Sequence, residues 1–216
     1  LSWSGREVRA VIGRQAIDLD DQRFIGTLGW RQDDQTFDAA RLDGGLGPLR
    51  ATYIYLDRVN RVGRGQDWDA DGHAVNLTLT ASRAVAVEGF LYALDLKQAP
   101  AASSLTWGVR ATGALPAGPV KLAWAAAVAR QRDYRNSPRR FELGYWQAEL
   151  AASHGPWTLK GAYEHLGGDG VRGFSTPLAT LHAFQGWADV FLTTPADGVD
   201  DANITLQLKP PLKLAH

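Results

Sequence analysis

The chain has 216 residues, of which 23 are basic and 23 acidic, and it contains neither Cys nor Met. Balanced charge excludes a net field directed at nucleic acid, the missing Cys excludes disulfides and thiolate chemistry, and the lack of any apolar run of about 18 residues excludes a membrane-spanning helix. A membrane β-barrel stays open, because its strands need only about 10 alternating residues each.

In chain order, segments near 6–18, 34–43 and 49–60 read as strands whose inward face the pattern leaves ambiguous. Val75, Leu77, Leu79 and Ala81 then alternate with Asn76, Thr78 and Thr80, giving one apolar and one polar face. A further strand near 84–96 has an equally ambiguous inward face, and Leu105, Trp107, Val109 and Ala111 alternate with Thr106, Gly108, Arg110 and Thr112. Val120 to Ala129 is Ala-rich and could be a helix, but flanking Pro116, Gly118 and Pro119 leave little room for a capped one and favour a strand. Phe141 to Ser153 changes phase near Tyr145 and Trp146, which indicates a bulge or an aromatic interface position. Trp157, Leu159, Gly161 and Tyr163 alternate with Thr158, Lys160, Ala162 and Glu164, and Ile204, Leu206 and Leu208 with Asn203, Thr205, Gln207 and Lys209.

Short turns are expected at 81–84, 115–119 and 153–156, and longer polar connections at 61–72 and 130–140. Short turns on one side with long loops on the other is the layout of an outer-membrane barrel. A soluble β-sandwich, binding carbohydrate through its Trp residues, would show the same alternation. Two features favour the barrel: Trp107, Trp157, Tyr134, Tyr145 and Trp146 sit near strand ends, as aromatic girdles do, and the polar faces carry Arg, Lys and Glu in mid-strand. The expected fold is an all-β, antiparallel transmembrane β-barrel of about ten or eleven readable strands, a single domain over 1–216 with a long loop at 167–201.

That loop, GGDGVRGFSTPLATLHAFQGWADVFLTTPADGVDD from Gly167 to Asp201, strings a Gly-rich turn, an aromatic and His segment and an acidic turn between two strands. Aperiodic connections of this length are usually functional. Two readings stand: an inward-folded constriction carrying His182, Phe184 and Trp187, with a short helix over about 178–191, or an extension of two long strands above the membrane. GGDG precedes no helix N-terminus and reads as a tight turn. The other chemical motifs are sparse. DWDADG places Asp67, Asp69 and Asp71 as the first half of a Ca²⁺ loop, with Thr78 where an EF-hand needs its Glu. Ca²⁺ there is the one cofactor considered. No HxH or HExxH spacing or nucleophile elbow is present, so catalysis is not expected.

The segment Gly13 to Leu42, GRQAIDLDDQRFIGTLGWRQDDQTFDAARL, and the Gly167 to Asp201 segment resemble the alginate-export family of bacterial outer-membrane porins. YIYLDRVNR at 53–61 and LGYWQAEL at 143–150 fit the same series in order. The resemblance implies a bacterial outer-membrane location amid lipid and lipopolysaccharide. It also implies an eighteen-stranded barrel with an electropositive pore for anionic polysaccharide or small anionic solutes. This chain is shorter than the pattern and lacks its C-terminal aromatic residue, so it reads as incomplete, with strands to be supplied by more of the protein or by another chain. A non-transporting structural or interaction barrel is the alternative function.

In such a pore the candidate lining residues are Arg110, Lys121 and Lys160 on readable polar faces, with Arg9, Arg14, Arg41, Arg50 and Arg58 on strands of uncertain phase. A ring of cations lowers the barrier for carboxylate-bearing solutes. Glu149 and Glu164 are expected to pair with some of them. The bland reading is surface ion pairs of small energetic value.

Overall fold

The computed structural model describes residues 1–5, 7–27, 34–63, 65–82, 84–180, 183–185 and 190–209. Among them, eleven strands form one antiparallel sheet in which each strand pairs with its neighbours in sequence. These are β1 (Ser2–Ser4), β2 (Val8–Gln15), β3 (Thr36–Leu46), β4 (Leu49–Asn60), β5 (Trp68–Thr80) and β6 (Val85–Leu96), then β7 (Ser104–Ala117), β8 (Val120–Asp133), β9 (Glu142–His154), β10 (Trp157–Leu166) and β11 (Val199–Leu208). β1 and β11 do not pair with each other. Connections alternate strictly: short turns join β1 to β2, β3 to β4, β5 to β6, β7 to β8 and β9 to β10, and longer segments join the rest.

Register fixes the two faces, because directly opposed residues in an antiparallel pair lie on the same side. One register row runs Leu77, Gly89, Val109, Val128, Trp146, His165. It belongs to an outer face of exposed apolar side chains that includes Ile12, Leu42, Leu150, Leu159, Ile204 and Leu206. The other, inner face carries Arg9, Arg41, Asp43, Asn76, Glu88, Arg110, Glu149 and Lys160 toward the short turns and in mid-strand. Nearer the long connections it becomes apolar, with Phe37, Ile54, Leu56, Phe90, Leu94 and Leu166 all buried. The core lies there, between the sheet and two inserted segments.

The Ala-rich stretch is strand, in unbroken register with β7 and β9, so the helical alternative falls. Register shifts occur at Asp38/Ala39 and between Leu56 and Arg58, whereas β9 has none. The phase change at Tyr145 and Trp146 therefore reflects two aromatics on opposite faces. Trp146 stacks on Tyr163 at 4.6 Å on the outer face. Tyr145 turns inward into the core and is not a girdle residue. The expected 61–72 connection is shorter than the sequence indicated, since β5 begins at Trp68.

Candidate functional site

Residues 16–27, between β2 and β3, and 173–180, between β10 and β11, fold against the inner face. Their composition drives this: Ile17, Leu19, Ile25, Phe174, Leu178 and Ala179 are buried among wall residues, and each large apolar side chain so buried stabilises the arrangement by about 1.5–3 kcal/mol. Phe24 is the hub, with ring centroids 5.0 Å from Phe90, 5.3 Å from Tyr145, 5.8 Å from Tyr92 and 6.2 Å from Phe174. The two segments also clasp each other through a bridge between Ile25 and Leu178. Gly26 N–H donates to the Leu178 carbonyl at 2.9 Å and Thr180 N–H to that of Gln22 at 3.1 Å.

Polar side chains of the wall satisfy the inserted backbone, as burial requires. Gln131 on β8 donates to the Ser175 carbonyl at 2.7 Å and accepts from the Ser175 N–H at 2.9 Å, so its amide imitates a strand neighbour. Gln35 donates to the carbonyls of Gly26 and Leu178. Arg23 is only 2% exposed. Its guanidinium grips Glu164 of β10 at 2.5 and 3.2 Å, donates to Thr176 at 3.0 Å, and lies 4.5 Å from the centre of the Phe184 ring. Glu164 also accepts from the Tyr145 hydroxyl at 2.9 Å and from Gln185.

A second polar cluster lies one step toward the short turns. Asn76 donates to Glu88 at 2.9 Å and to Asp20 at 3.1 Å, Thr78 donates to Glu88 at 2.8 Å, and Arg110 reaches Asp21 at 3.3 Å. Burial, followed by its hydrogen bond to Glu88, pushes the Asp20 carboxyl up to about 8. Desolvation beside a second carboxyl thus favours the protonated form of Asp20.

Inner-face cations nearer the short turns are differently placed. Arg41 bonds Asp43 through Nε at 2.9 Å, and Thr52 donates to the same carboxylate at 2.8 Å. Lys160 donates to Glu149 at 3.1 Å. Arg50 bonds only the backbone carbonyls of Gly47 and Leu49, and Arg9, Arg50 and Lys121 form no ion pair among the described residues.

Of the sequence candidates, Arg9, Arg41, Arg110, Lys121, Glu149, Lys160 and Glu164 thus share the inner face. Glu164 binds an inserted arginine rather than a strand cation. Arg14 is a correction: it stands on the outer face in a two-pronged bond to Asp38 at 2.8 and 2.9 Å, because Val11, Gly13 and Gln15 carry the inward phase of β2. Arg58 is also outward, bonded to Asp69. The three acids of the Ca²⁺ motif have other partners in this structure. Asp69 and Asp71 are strand residues whose carboxylates meet Arg58, Gln98 and Arg135, while Asp67 accepts from the Arg61 N–H. No group of three or more metal-ligating side chains converges among the described residues.

Of the Gly167 to Asp201 segment, residues 173–180 fold inward, and the described residues of 178–191 contain no α-helix. His182 and Trp187 lie outside the described residues. GGDG is a tight turn: Gly170 has φ +80°, and Asp169 accepts the N–H groups of Val171 at 2.9 Å and Arg172 at 2.8 Å. Arg23, Asp20, Asp21, Glu88 and Asn76 were missed as site residues. The first three sit in an aperiodic loop and gave no pattern signal; the alternation of β5 already placed Asn76 on the polar face, whereas β6 left the face of Glu88 ambiguous.

Residues 2–133 match a family model described as alginate export. No match emerges among curated proteins. Among solved structures the chain is similar to OpdK of Pseudomonas aeruginosa, solved with vanillate, at 14% identity and TM-score 0.71 over 82% of this chain and 49% of that one. It is also similar to OpdL of Pseudomonas aeruginosa, at 15% identity and TM-score 0.71 over 90% and 55%. OccAB4 of Acinetobacter baumannii follows at 12% and 0.66 over 80% and 45%. At such identities the likeness is one of fold, and the chain spans about half the length of these structures.

Proposed function

The chain belongs to the alginate export family of bacterial outer-membrane β-barrel channels, and on that premise we propose that it forms part of the wall of a passive pore for anionic or polar solutes. The observation that carries this reading is the inner face itself. Two inserted segments narrow the space it borders, and beyond them Arg9, Arg50 and Lys121 present cationic groups with no carboxylate partner among the described residues. Unpaired cations lower the energy of an entering carboxylate and raise that of a cation. No bond chemistry is required, and the family comprises channels rather than enzymes.

The preferred solutes are carboxylates, either uronate polysaccharides or small organic acids. In the membrane the edges of β1 and β11 need further strands, since lipid does not satisfy free backbone groups. Planar-bilayer recordings of the full-length protein test the reading. Conductance steps with an anion-selective reversal potential are expected, and an absence of steps from folded protein would sink it.

A further inference from the structure

We propose that the outer face between β5 and β10 holds one phosphorylated, multiply acylated glycolipid of the outer leaflet, the lipid A portion of lipopolysaccharide, with its phosphate on Arg130 and Arg132. The face is not uniformly convex there: a groove of about 1120 Å³ crosses it. Leu77, Leu91, Val109 and Val128 line the groove, and Trp107 and Trp146 flank it. Gly89 and Gly144 occupy outward positions in its floor, where any side chain would fill it. The depression is therefore built from the absence of side chains at two strand positions, flanked by the two largest side chains available.

The polarity of the groove matches that of an amphiphile. Its β5–β6 end is wholly apolar, whereas its other end carries Arg130, set directly opposite Gly144 in register. Arg132 stands two residues further along β8 on the same face, 5.8 Å from the centre of the Trp107 ring. Both lie in the last four residues of β8 before a long connection, which is the extracellular side in outer-membrane barrels. An acyl chain laid along the groove thus brings a headgroup phosphate to the two guanidinium groups, whose planar donor forks suit phosphate oxygens.

The state of these arginines distinguishes them from their neighbours. Of the described strand arginines on the outer face, Arg14 is bonded to Asp38 and Arg58 to Asp69, whereas Arg130 and Arg132 form no ion pair among the described residues. Glu142 lies opposite Arg132 in register without pairing to it. Exposed arginines beside an apolar groove, left without acidic partners where acidic partners are otherwise used, are arranged for an external anion.

The test is native mass spectrometry of the full-length, delipidated protein in detergent, titrated in separate arms with lipid A, dephosphorylated lipid A and phosphatidylglycerol. Wild type is expected to retain lipid A. Removing the phosphates, or substituting Arg130→Gln with Arg132→Gln, should weaken retention about thirty-fold, the loss that two cations bring at an anionic membrane surface. Gly89→Leu should do the same with both arginines intact, since a Cβ at Gly89 meets nothing within 4 Å and the side chain can extend into the groove. Arg14→Gln with Arg58→Gln should retain lipid A unchanged, and heat-modifiable gel migration verifies folding throughout. Retention by the Arg130/Arg132 variant equal to wild type, equal retention of phosphatidylglycerol, or a dimer of this chain displacing lipid would each overturn the proposal.

Discussion

The two ends of the inner face use the same residue types for opposite purposes. Toward the long connections, Arg23 is buried, bonded to Glu164 and Thr176 and covered by Phe184. Toward the short turns, Arg9, Arg50 and Lys121 are exposed and without acidic partners among the described residues. A paired, desolvated cation holds the inserted segments in place; an unpaired, hydrated one leaves its field open to the space beside the inner face. In the proposed pore, the presence of arginine on this face is therefore no measure of selectivity until its partner is known.

The comparison breaks most sharply at Arg23. Arg23→Met leaves Glu164 buried without its charge partner and should weaken docking of the inserted segments by about 3–5 kcal/mol, whereas pairing it with Glu164→Leu should restore most of that. Hydrogen exchange across 16–27 measures both, and equal loss in the single and double variants would show that the pair is not the anchor. Phe24→Ala should follow at about 2–3 kcal/mol, from lost burial and aromatic contact. The same amides report it.

Replacing Arg9, Arg50 and Lys121 with Gln should do the reverse. Stability should shift by no more than about 0.5 kcal/mol, as for surface sites. The anion-to-cation permeability ratio should fall about fivefold, the equivalent of roughly 1 kcal/mol of unscreened interaction in water. An unchanged reversal potential would remove them from the pathway.

Acidity offers a subtler probe. Because the Asp20 carboxyl is raised from 3.8 to about 8 when docked, the docked state binds more protons than the released one between those values. Docking is then most favourable below about pH 4, weakens as pH rises to about 8 and is flat beyond. Asp20→Asn should abolish the slope in amide exchange between pH 5 and 8. Asn also tolerates the left-handed backbone found there, φ 54°. Arg14→Gln should matter least: neither selectivity nor the melting temperature should change measurably, as for an exposed pair.

Strand existence was legible because a half-exposed strand must alternate, and the strand cations Arg110, Lys121 and Lys160 could be assigned to the polar side on that ground alone. The phase of β2 was not. Val8 to Gln15 mixes Arg9 and Arg14 on opposite sides, and only pairing with β3 settles which is inward. The inserted segments were legible as unusual rather than as located, since a loop without period carries no face. The strand position of Asp69 and Asp71 was not legible, because period-two acids suit a metal loop and a strand equally, and only the neighbouring Arg58 and Arg135 show where they point.

The neck of the 167–201 segment has a consequence for how such a channel can change over generations. Gly168 and Gly173 are so closely approached by the backbone of 195–198 that a side chain at either would collide with carbonyl oxygens. The ends of the insertion are thus fastened to each other and to Gly144 of β9 before any of its interior is specified. With the ends already together, lengthening the interior is entropically cheap, about 0.6 kcal/mol for each doubling. In the proposed pore, width can then vary by insertion or deletion beyond the neck while the strands of the wall keep their register.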